Sequence, residues 1–591
     1  MTMSCHGLGV RASRSIAVGR AFVIARCPSP ATPGIIAAET IEAELARLDA
    51  ALEGARAALQ AVREQIPTTT PLSIAEFIDT HLLMLQDAAL VDEARELIRQ
   101  EACSAEWALQ RRRDALIRVF DAMDDPYLRN RRHDVDHVVL QIQAQLRGGA
   151  QPDRLDDHDL AGRVIIAEDL TPADAILLGQ RGVVAFVTEC GGPMSHTAIL
   201  ARSLNIPAVV GVHHATRYFR HAETVVVDGA TGAVLTDLDA ATLAYYQGRI
   251  RALEQRRAAL QGTVDRPSVT LDGVPVGLYA NLEMPEDALV ARANGAAGVG
   301  LYRTEFLYMN RTDLPDEEEH LAAYLAVING LAGIPVTIRT LDLGVDKQVD
   351  ALGSHCPPAC NPALGLRAIR LCLQEPDLFR PQLRAILRAS ASGPVRLMVP
   401  MITSVGELEG VLALIAEVRR ELTADGLAYD RALPIGGMVE VPSAALCAQA
   451  LARRLDFLSI GTNDLTQYTL AVDRMDDTVS YLYDPIHLAV LRLVRMTIEA
   501  GRVTDTPVAM CGELAGDPRY TRLLLGMGLR ELSMQPGALL DVKEIVRRSD
   551  ISVLAPRVSA LFDGLDEGDP AQLVDEINRD ADEGRTGARL V

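Results

Sequence analysis

Residues 435–464 read IGGMVEVPSAALCAQALARRLDFLSIGTND. Two short apolar runs, 435–440 and 456–460, flank a helical pattern, which is the signature of a strand, a crossover helix and a second, parallel strand. A carboxylate stands where each strand should finish: Glu440 closes the first, and Asp464, next to Asn463, follows the second. Outward from this unit the alternation repeats. Strand candidates lie at 275–280, 297–302, 335–340, 395–399, 435–440, 456–460, 507–511 and 529–533, each followed by helical pattern. Eight such units in roughly 300 residues after Pro267 match the size of a (β/α)8 barrel, a fold that keeps its chemistry at the C-terminal ends of its strands. Those ends carry Asn281, Arg303, Arg339 with Asp342, Met401, Glu440, Asn463 with Asp464, Cys511 and Ser533.

Upstream the pattern differs. Residues 8–25 read as strand material, and from about 37 to 148 long amphipathic helices follow, for example 41–62 and 74–98, whose Leu/Ala/Met stripes suit a helical bundle. Strand signals return at 164–167, 183–188, 208–210 and 224–227, alternating with short helices, so the opening strands and these complete one α/β layer with the bundle as an insertion. A charged helix over 238–262, ended by Gly262 and Pro267, suits a linker. The expected division is therefore a discontinuous α/β domain at 1–36 and 149–237, an inserted helical subdomain at 37–148, a linker helix at 238–266, the barrel at 267–575 and a C-terminal tail at 576–591. The fold class is α/β multidomain.

Composition narrows the function. The 591 residues carry 58 Lys+Arg against 79 Asp+Glu, a formal charge of −21, which disfavours general nucleic-acid binding. No apolar run is long enough to cross a bilayer, and Arg11, Arg14 and Arg20 interrupt the N-terminus where a signal peptide needs an apolar core. Nine cysteines spread over a long acidic chain fit reduced thiols and a cytoplasmic location. Lys347 and Lys543 are the only lysines, so a surviving ammonium suggests a task that a planar guanidinium does not serve.

At the barrel mouth, Glu440 and Asp464 sit on neighbouring strands. Each could pair with an arginine, but two hard oxygen ligands at that place favour magnesium. Arg303, Arg339, Arg367 and Arg474 come from different loops of the same face, and converging guanidinium forks suit a small substrate bearing phosphate and carboxylate. Lys347 follows just past a strand end. Cys511 is either a small core residue or a proton donor. A second constellation, Gly191-Gly-Pro-Met-Ser195-His196-Thr197, follows a strand and opens a helix, with Ser195 as cap and His196 at the positive end of the helix dipole. His133-Asp-Val-Asp-His137 echoes a zinc-protease motif but lacks the general-base Glu in an Arg-rich context, which disfavours metal.

These motifs in this order resemble Enzyme I of the bacterial phosphotransferase system, the phosphoenolpyruvate–protein phosphotransferases, over about residues 8–570. The matching runs are Gly-Gly-Pro-Met-Ser-His196-Thr-Ala, Gly-Val-Gly-Leu-Tyr-Arg303-Thr-Glu, Asn-Pro-Ala-Leu-Gly-Leu-Arg367, Met-Val-Glu440-Val-Pro, Ser-Ile-Gly-Thr-Asn463-Asp464, Ala-Val-Asp-Arg474 and Cys511-Gly-Glu. The resemblance implies a swivelling phosphohistidine domain whose His196 takes the phosphoryl group. It implies that Arg303 and Arg339 hold the substrate phosphate with Arg474 and Asn463 assisting, and that Glu440 and Asp464 bind Mg2+. It also implies that Cys511 protonates the enolate, that the helical insertion docks the carrier protein HPr, and that the barrel forms a homodimer. Lys347 and Arg367 are expected substrate contacts. The chain departs from the family pattern at Ser13-Arg14-Ser15, at Gly344-Val345 in place of Gly-Gly, where the larger side chain is expected to crowd a loop near the substrate, and at Met475-Asp476-Asp477. The related pyruvate phosphate dikinases and phosphoenolpyruvate synthases need a large ATP-binding domain ahead of the histidine, where this chain has a helical insertion. A metabolite-sensing scaffold would dispense with His196, Cys511 or the carboxylates, and all are present.

Overall fold

A computed structural model of the chain describes residues 2–10, 15–24, 34–65, 72–85, 87–121, 132–146, 160–170, 172–191, 196–204, 206–308, 313–343, 361–474, 479–564 and 569–588. The chain folds as two units, Met1–Gln255 and Arg256–Val591. Among the described residues no helix is long and apolar enough to cross a membrane.

In the second unit the apolar runs pair until no edge is left. Strands β9 (Gly277–Leu282), β10 (Gly298–Tyr302), β11 (Val336–Arg339), β12 (Val395–Val399), β13 (Ile435–Val439), β14 (Phe457–Ile460), β15 (Val508–Met510) and β16 (Glu531–Met534) form a closed barrel. All pairings are parallel, and β16 closes onto β9 through Glu531↔Gly277 and Met534↔Ala280. The first strand runs two residues further along than 275–280, so Asn281 lies inside it instead of beyond it. Ser533 likewise lies within β16. Side chains fill the interior. Leu301, Met398, Met438, Phe457 and Cys511 form one buried cluster, and the N-terminal end is plugged by Arg396, whose guanidinium stacks 4.9 Å from the Phe457 ring and 5.6 Å from Tyr279. The surrounding helices start where the sequence supplies reciprocal caps, with Asp316 and Glu319 opening one and Ser404 and Glu407 another, each a capping box.

The final helix spans the expected division between barrel and tail at 575/576. It runs Pro570–Ala588, burying Leu573, Val574 and Ile577, while Asn578 accepts a 3.1 Å bond from Arg522.

The first unit is built on an eight-stranded sheet in the order β1-β8-β7-β3-β4-β5-β6-β2. Its strands are β1 (Met3–His6), β2 (Leu8–Val10), β3 (Ile16–Ile24), β4 (Arg163–Ala167), β5 (Ala185–Thr188), β6 (Ala208–Val210), β7 (Thr224–Asp228) and β8 (Ala233–Thr236). Strands β3 to β6 are parallel neighbours. Alternate residues face opposite cores: Ile165 and Ala167 pack on one side, Val164 and Ile166 on the other. That burial on both faces is why these strands read as continuous apolar runs.

Among the described residues, five α-helices lie between β3 and β4: Ile41–Gln65, Leu72–Met84, Ala88–Glu101, Ala105–Asp121 and Arg132–Leu146. The expected single helix over 74–98 is two helices, because Asp87 caps a new start by accepting the Ala89 amide at 2.7 Å. The helix Ala240–Gln261 replaces the expected 238–262. Its first half docks on the sheet, with Tyr246 and Ile250 packing on Ile16, Val226 and Leu235, and Arg249 reaching buried Asp228 at 3.0 Å.

Candidate active site

Four of the barrel's C-terminal loops place charged side chains in contact with one another. Arg339 is the last residue of β11 and is buried; its Nη2 donates to Glu305 Oε1 at 2.8 Å, and its Nη1 lies 3.0 Å from Asp342 Oδ2. Arg367, from the loop before the helix Ala368–Gln374, reaches the other oxygen of Asp342 at 2.9 Å. Asp342 is thus held between two guanidiniums. Burial by itself disfavours the charge on both arginines, but Glu305 and Asp342 for Arg339, and Asp342 for Arg367, outweigh it and raise both pKa values.

Glu440 immediately follows β13 and Asp464 lies in the first turn of the helix Thr462–Leu470 after β14. These strands are neighbours, with Val439↔Ile460 in register, and together with Asp342 they bring three carboxylate oxygens within 4.8 Å of one another. Glycine allows the approach: a Cβ on Gly461 would lie 3.0 Å from Glu440, and one on Gly512 only 1.9 Å from Thr462 Oγ1. The Glu440 carboxyl is pushed up to about 8, first by burial and then by Asp342 and Asp464. Glu305, Asp342, Glu440 and Asp464 are four acidic groups around the two buried guanidiniums of Arg339 and Arg367, an excess of two, of which Glu440 keeps its proton at neutral pH until a cation displaces it. A divalent cation among hard oxygen donors fits that excess.

Arg303, just past β10, is ion-paired with Glu283 at the rim. Arg474 stands 3.6 Å from Asp464. Asn463 is turned towards the next loop, exchanging hydrogen bonds with Glu513 through its Nδ2 (2.9 Å) and Oδ1 (2.8 Å).

Cys511 follows β15 and is buried at the floor of this mouth, where it accepts a bond from Ser459 Oγ at 3.2 Å. Burial pushes the thiol up to about 11, against the lowering effect of the Ser459 bond, so it carries its proton throughout the neutral range. Asn281 supports the loop from behind by donating to the Cys511 carbonyl at 2.9 Å.

In the first unit, His196 is the first residue of the helix His196–Ser203, as its sequence position after β5 implies. The helix is wedged between two cores: Ala198 and Ala201 face the sheet and Leu200 faces the helical insertion. Thr197, next to His196, is buried with its hydroxyl 3.4 Å from Asp169 Oδ1 and 3.3 Å from the Leu170 carbonyl. Lys347, Ser195, Val345 and residues 475–477 lie outside the described residues.

Sequence reasoning sets Arg339, Arg367, Glu440 and Asp464 at one site, and the structure gathers them. It leaves Asp342 and Glu305 without roles. Asp342 is visible as a strand-end carboxylate three residues after Arg339, and that spacing is the signal; Glu305 stands inside the Arg303-Thr-Glu run.

Three family models match the chain: PEP-utilising enzyme, N-terminal, over residues 8–131; PEP-utilising enzyme, mobile domain, over 160–232; and PEP-utilising enzyme, PEP-binding domain, over 257–551. A phosphoenolpyruvate-protein phosphotransferase of Cupriavidus necator is 45% identical over 98% of this chain and 100% of that protein. Proteins of the same name from Priestia megaterium and Geobacillus stearothermophilus are 40% and 41% identical, covering 94% and 91% of this chain and 96% and 92% of theirs. Identity at that level along nearly the whole of both chains, with the three domain models in order, means that this chain belongs to the phosphoenolpyruvate-protein phosphotransferase family of PEP-utilising enzymes.

Proposed function

We propose that this chain transfers the phosphoryl group of phosphoenolpyruvate to His196, releases pyruvate, and passes the group on to a histidine of an HPr-like carrier protein, the first step of phosphotransferase-system sugar uptake or of a related relay. The observation that carries the reading is the barrel mouth. There Arg339 and Arg367 flank Asp342, Glu440 and Asp464 within reach of a protonated thiol, Cys511.

In this reading Arg303 and Arg339 hold the phosphate, with Arg367, Arg474 and Asn463 positioning the rest of the substrate and Lys347 adding a point charge. Glu440 and Asp464, joined by Asp342, would hold Mg2+, which when bound neutralises charge on the transferring phosphoryl group. The P–O bond to the enol oxygen breaks as a P–N bond to His196 forms. The enolate left behind takes the Cys511 proton at its methylene carbon, giving pyruvate, and the thiolate is reprotonated from solvent. The resting pKa of the thiol, about 11, keeps the proton in place until the basic enolate carbon is generated.

His196 has to visit both the barrel and the carrier, which requires the α/β domain (1–36 and 149–237) to swivel about the linker at 238–266. The helical insertion at 37–148 would dock the carrier, and the barrel from 267 onward would form the homodimer. The reading makes this a cytoplasmic enzyme, supported by the acidic charge and the cysteines spread along the chain. Incubation with Mg2+ and phosphoenolpyruvate should release one pyruvate per chain and leave acid-labile phosphate that His196→Ala cannot acquire. Labelling from ATP instead would overturn the reading in favour of a dikinase.

A further inference from the structure

Two clusters among the described residues bring three metal-ligating side chains within 4.8 Å of one another. One is the carboxylate trio of the barrel. The other lies in the helical insertion, where His81 from the helix Leu72–Met84 meets Asp134 and His137 from the helix Arg132–Leu146. All three are at least nine-tenths buried, at 3%, 3% and 7% exposure. Nε2 of His81 lies 3.5 Å from Asp134 Oδ1, beyond a good hydrogen bond, and among the described residues neither that nitrogen nor Nδ1 of His137 has a hydrogen-bond partner. Two imidazole nitrogens buried without partners in an apolar bundle are costly unless something satisfies them.

The other ring nitrogen of His137 is placed as a metal ligand requires. His137 Nε2 faces Asp169 Oδ2 at 3.3 Å. With Nε2–H donating to that carboxylate, the lone pair is left on Nδ1, which is the buried, unpartnered atom. A carboxylate behind a ligating histidine fixes its tautomer and raises its basicity.

We propose that His81, Asp134 and His137 form a site for a tetrahedral transition-metal ion of the Zn2+ class, with a water as fourth ligand and Asp169 as the carboxylate behind His137. Two nitrogens and one carboxylate oxygen are donors that Zn2+ accepts, whereas Mg2+ prefers all-oxygen sites. The ion would clip two helices of the insertion together. It would also act on the neighbouring segment, because Asp169 is in turn approached by Thr197, the residue after His196.

The test uses the full-length chain, stripped with chelator and titrated with Co2+. Wild type should bind one tetrahedral Co2+ with intense visible d–d absorption and without the near-ultraviolet charge-transfer band of thiolate ligation. At a hundredfold excess over Kd, binding should raise the melting temperature of the N-terminal transition by roughly 5–10 °C. His81→Gln and His137→Gln should each lose the absorption and the thermal shift while keeping the far-ultraviolet dichroism of wild type. Asp169→Asn should weaken binding about 10–100-fold. Absence of tetrahedral absorption in wild type, or its persistence in both histidine variants, would overturn the proposal and leave the cluster as a proton-sharing network.

Discussion

Met401 adopts a left-handed backbone, φ 57°, and in that conformation its amide donates to Glu440 Oε1 at 2.6 Å. A non-glycine residue in that region costs about 1–2 kcal/mol. Here the turn after β12 aims a backbone donor at the most deeply buried carboxylate of the mouth. Because the donor is backbone, Met401→Gly should keep it. Phosphohistidine formation from phosphoenolpyruvate should then stay within about threefold of wild type in a quench-flow assay. Glu440→Gln, which keeps the hydrogen bond but removes the charge, should lower the same rate at least about 100-fold. Equal losses in the two variants would show that the turn, and not the carboxylate, matters.

Glu440 also makes stability depend on pH. Its pKa rises from the ordinary 4.5 to about 8 on folding, so between those values the folded chain binds more protons than the unfolded one. The contribution of Glu440 to stability is fully present below about 4.5 and is lost as pH rises through about 8. Urea melts of the metal-free protein should show this loss, the Glu440→Gln variant should lack it, and saturating Mg2+ should abolish it in wild type. An identical pH slope in wild type and variant would rule Glu440 out as the cause.

The Ser459 hydroxyl donates to the Cys511 sulfur and is what holds the thiol below the value burial would otherwise give. Ser459→Ala should therefore move the midpoint of Cys511 alkylation by iodoacetamide upward in pH. Cys511→Ala should cut pyruvate release by about 10²–10⁴-fold, the usual range for a positioned acid, with phosphoenolpyruvate binding changed only severalfold. A comparable loss in binding would make Cys511 a packing residue.

What the sequence reveals here is what is local. The barrel strands are readable because each is a short apolar run punctuated by a helix, and a charge at the end of such a run has its position fixed by the strand. Glu440, Asp464 and Arg339 are legible in that way. Asp342 is legible by the same rule, three residues after Arg339, but its second contact, to Arg367 twenty-five residues on, is one that no periodicity records. Strands β1 and β8 escape notice for a related reason. They are four residues each, β1 is an edge of alternating exposure, and they gain meaning only by pairing with each other across the chain, Met3↔Thr236. The His133/His137 spacing points to one helix, whereas the imidazole that lies against His137 is that of His81 on another, ring centroids 6.2 Å apart.

Arg339 offers the sharpest test of how the mouth is held together. It joins Glu305 and Asp342 at 2.8 and 3.0 Å, all three buried. Removing the cation takes the guanidinium away from the buried Glu305 carboxylate and leaves Asp342 with its bond to Arg367. Arg339→Met should therefore destabilise the barrel by about 3–5 kcal/mol, the cost of breaking a buried ion pair on one side. Arg339→Lys keeps the charge but not the fork, so it cannot serve both carboxylates in this geometry; it should recover part of the stability and little of the activity. Adding Glu305→Gln to Arg339→Met should restore some of the lost stability, because the stranded Glu305 charge is gone. Urea unfolding of the single and double variants measures this coupling, and additive effects would show that Glu305 and Arg339 act independently.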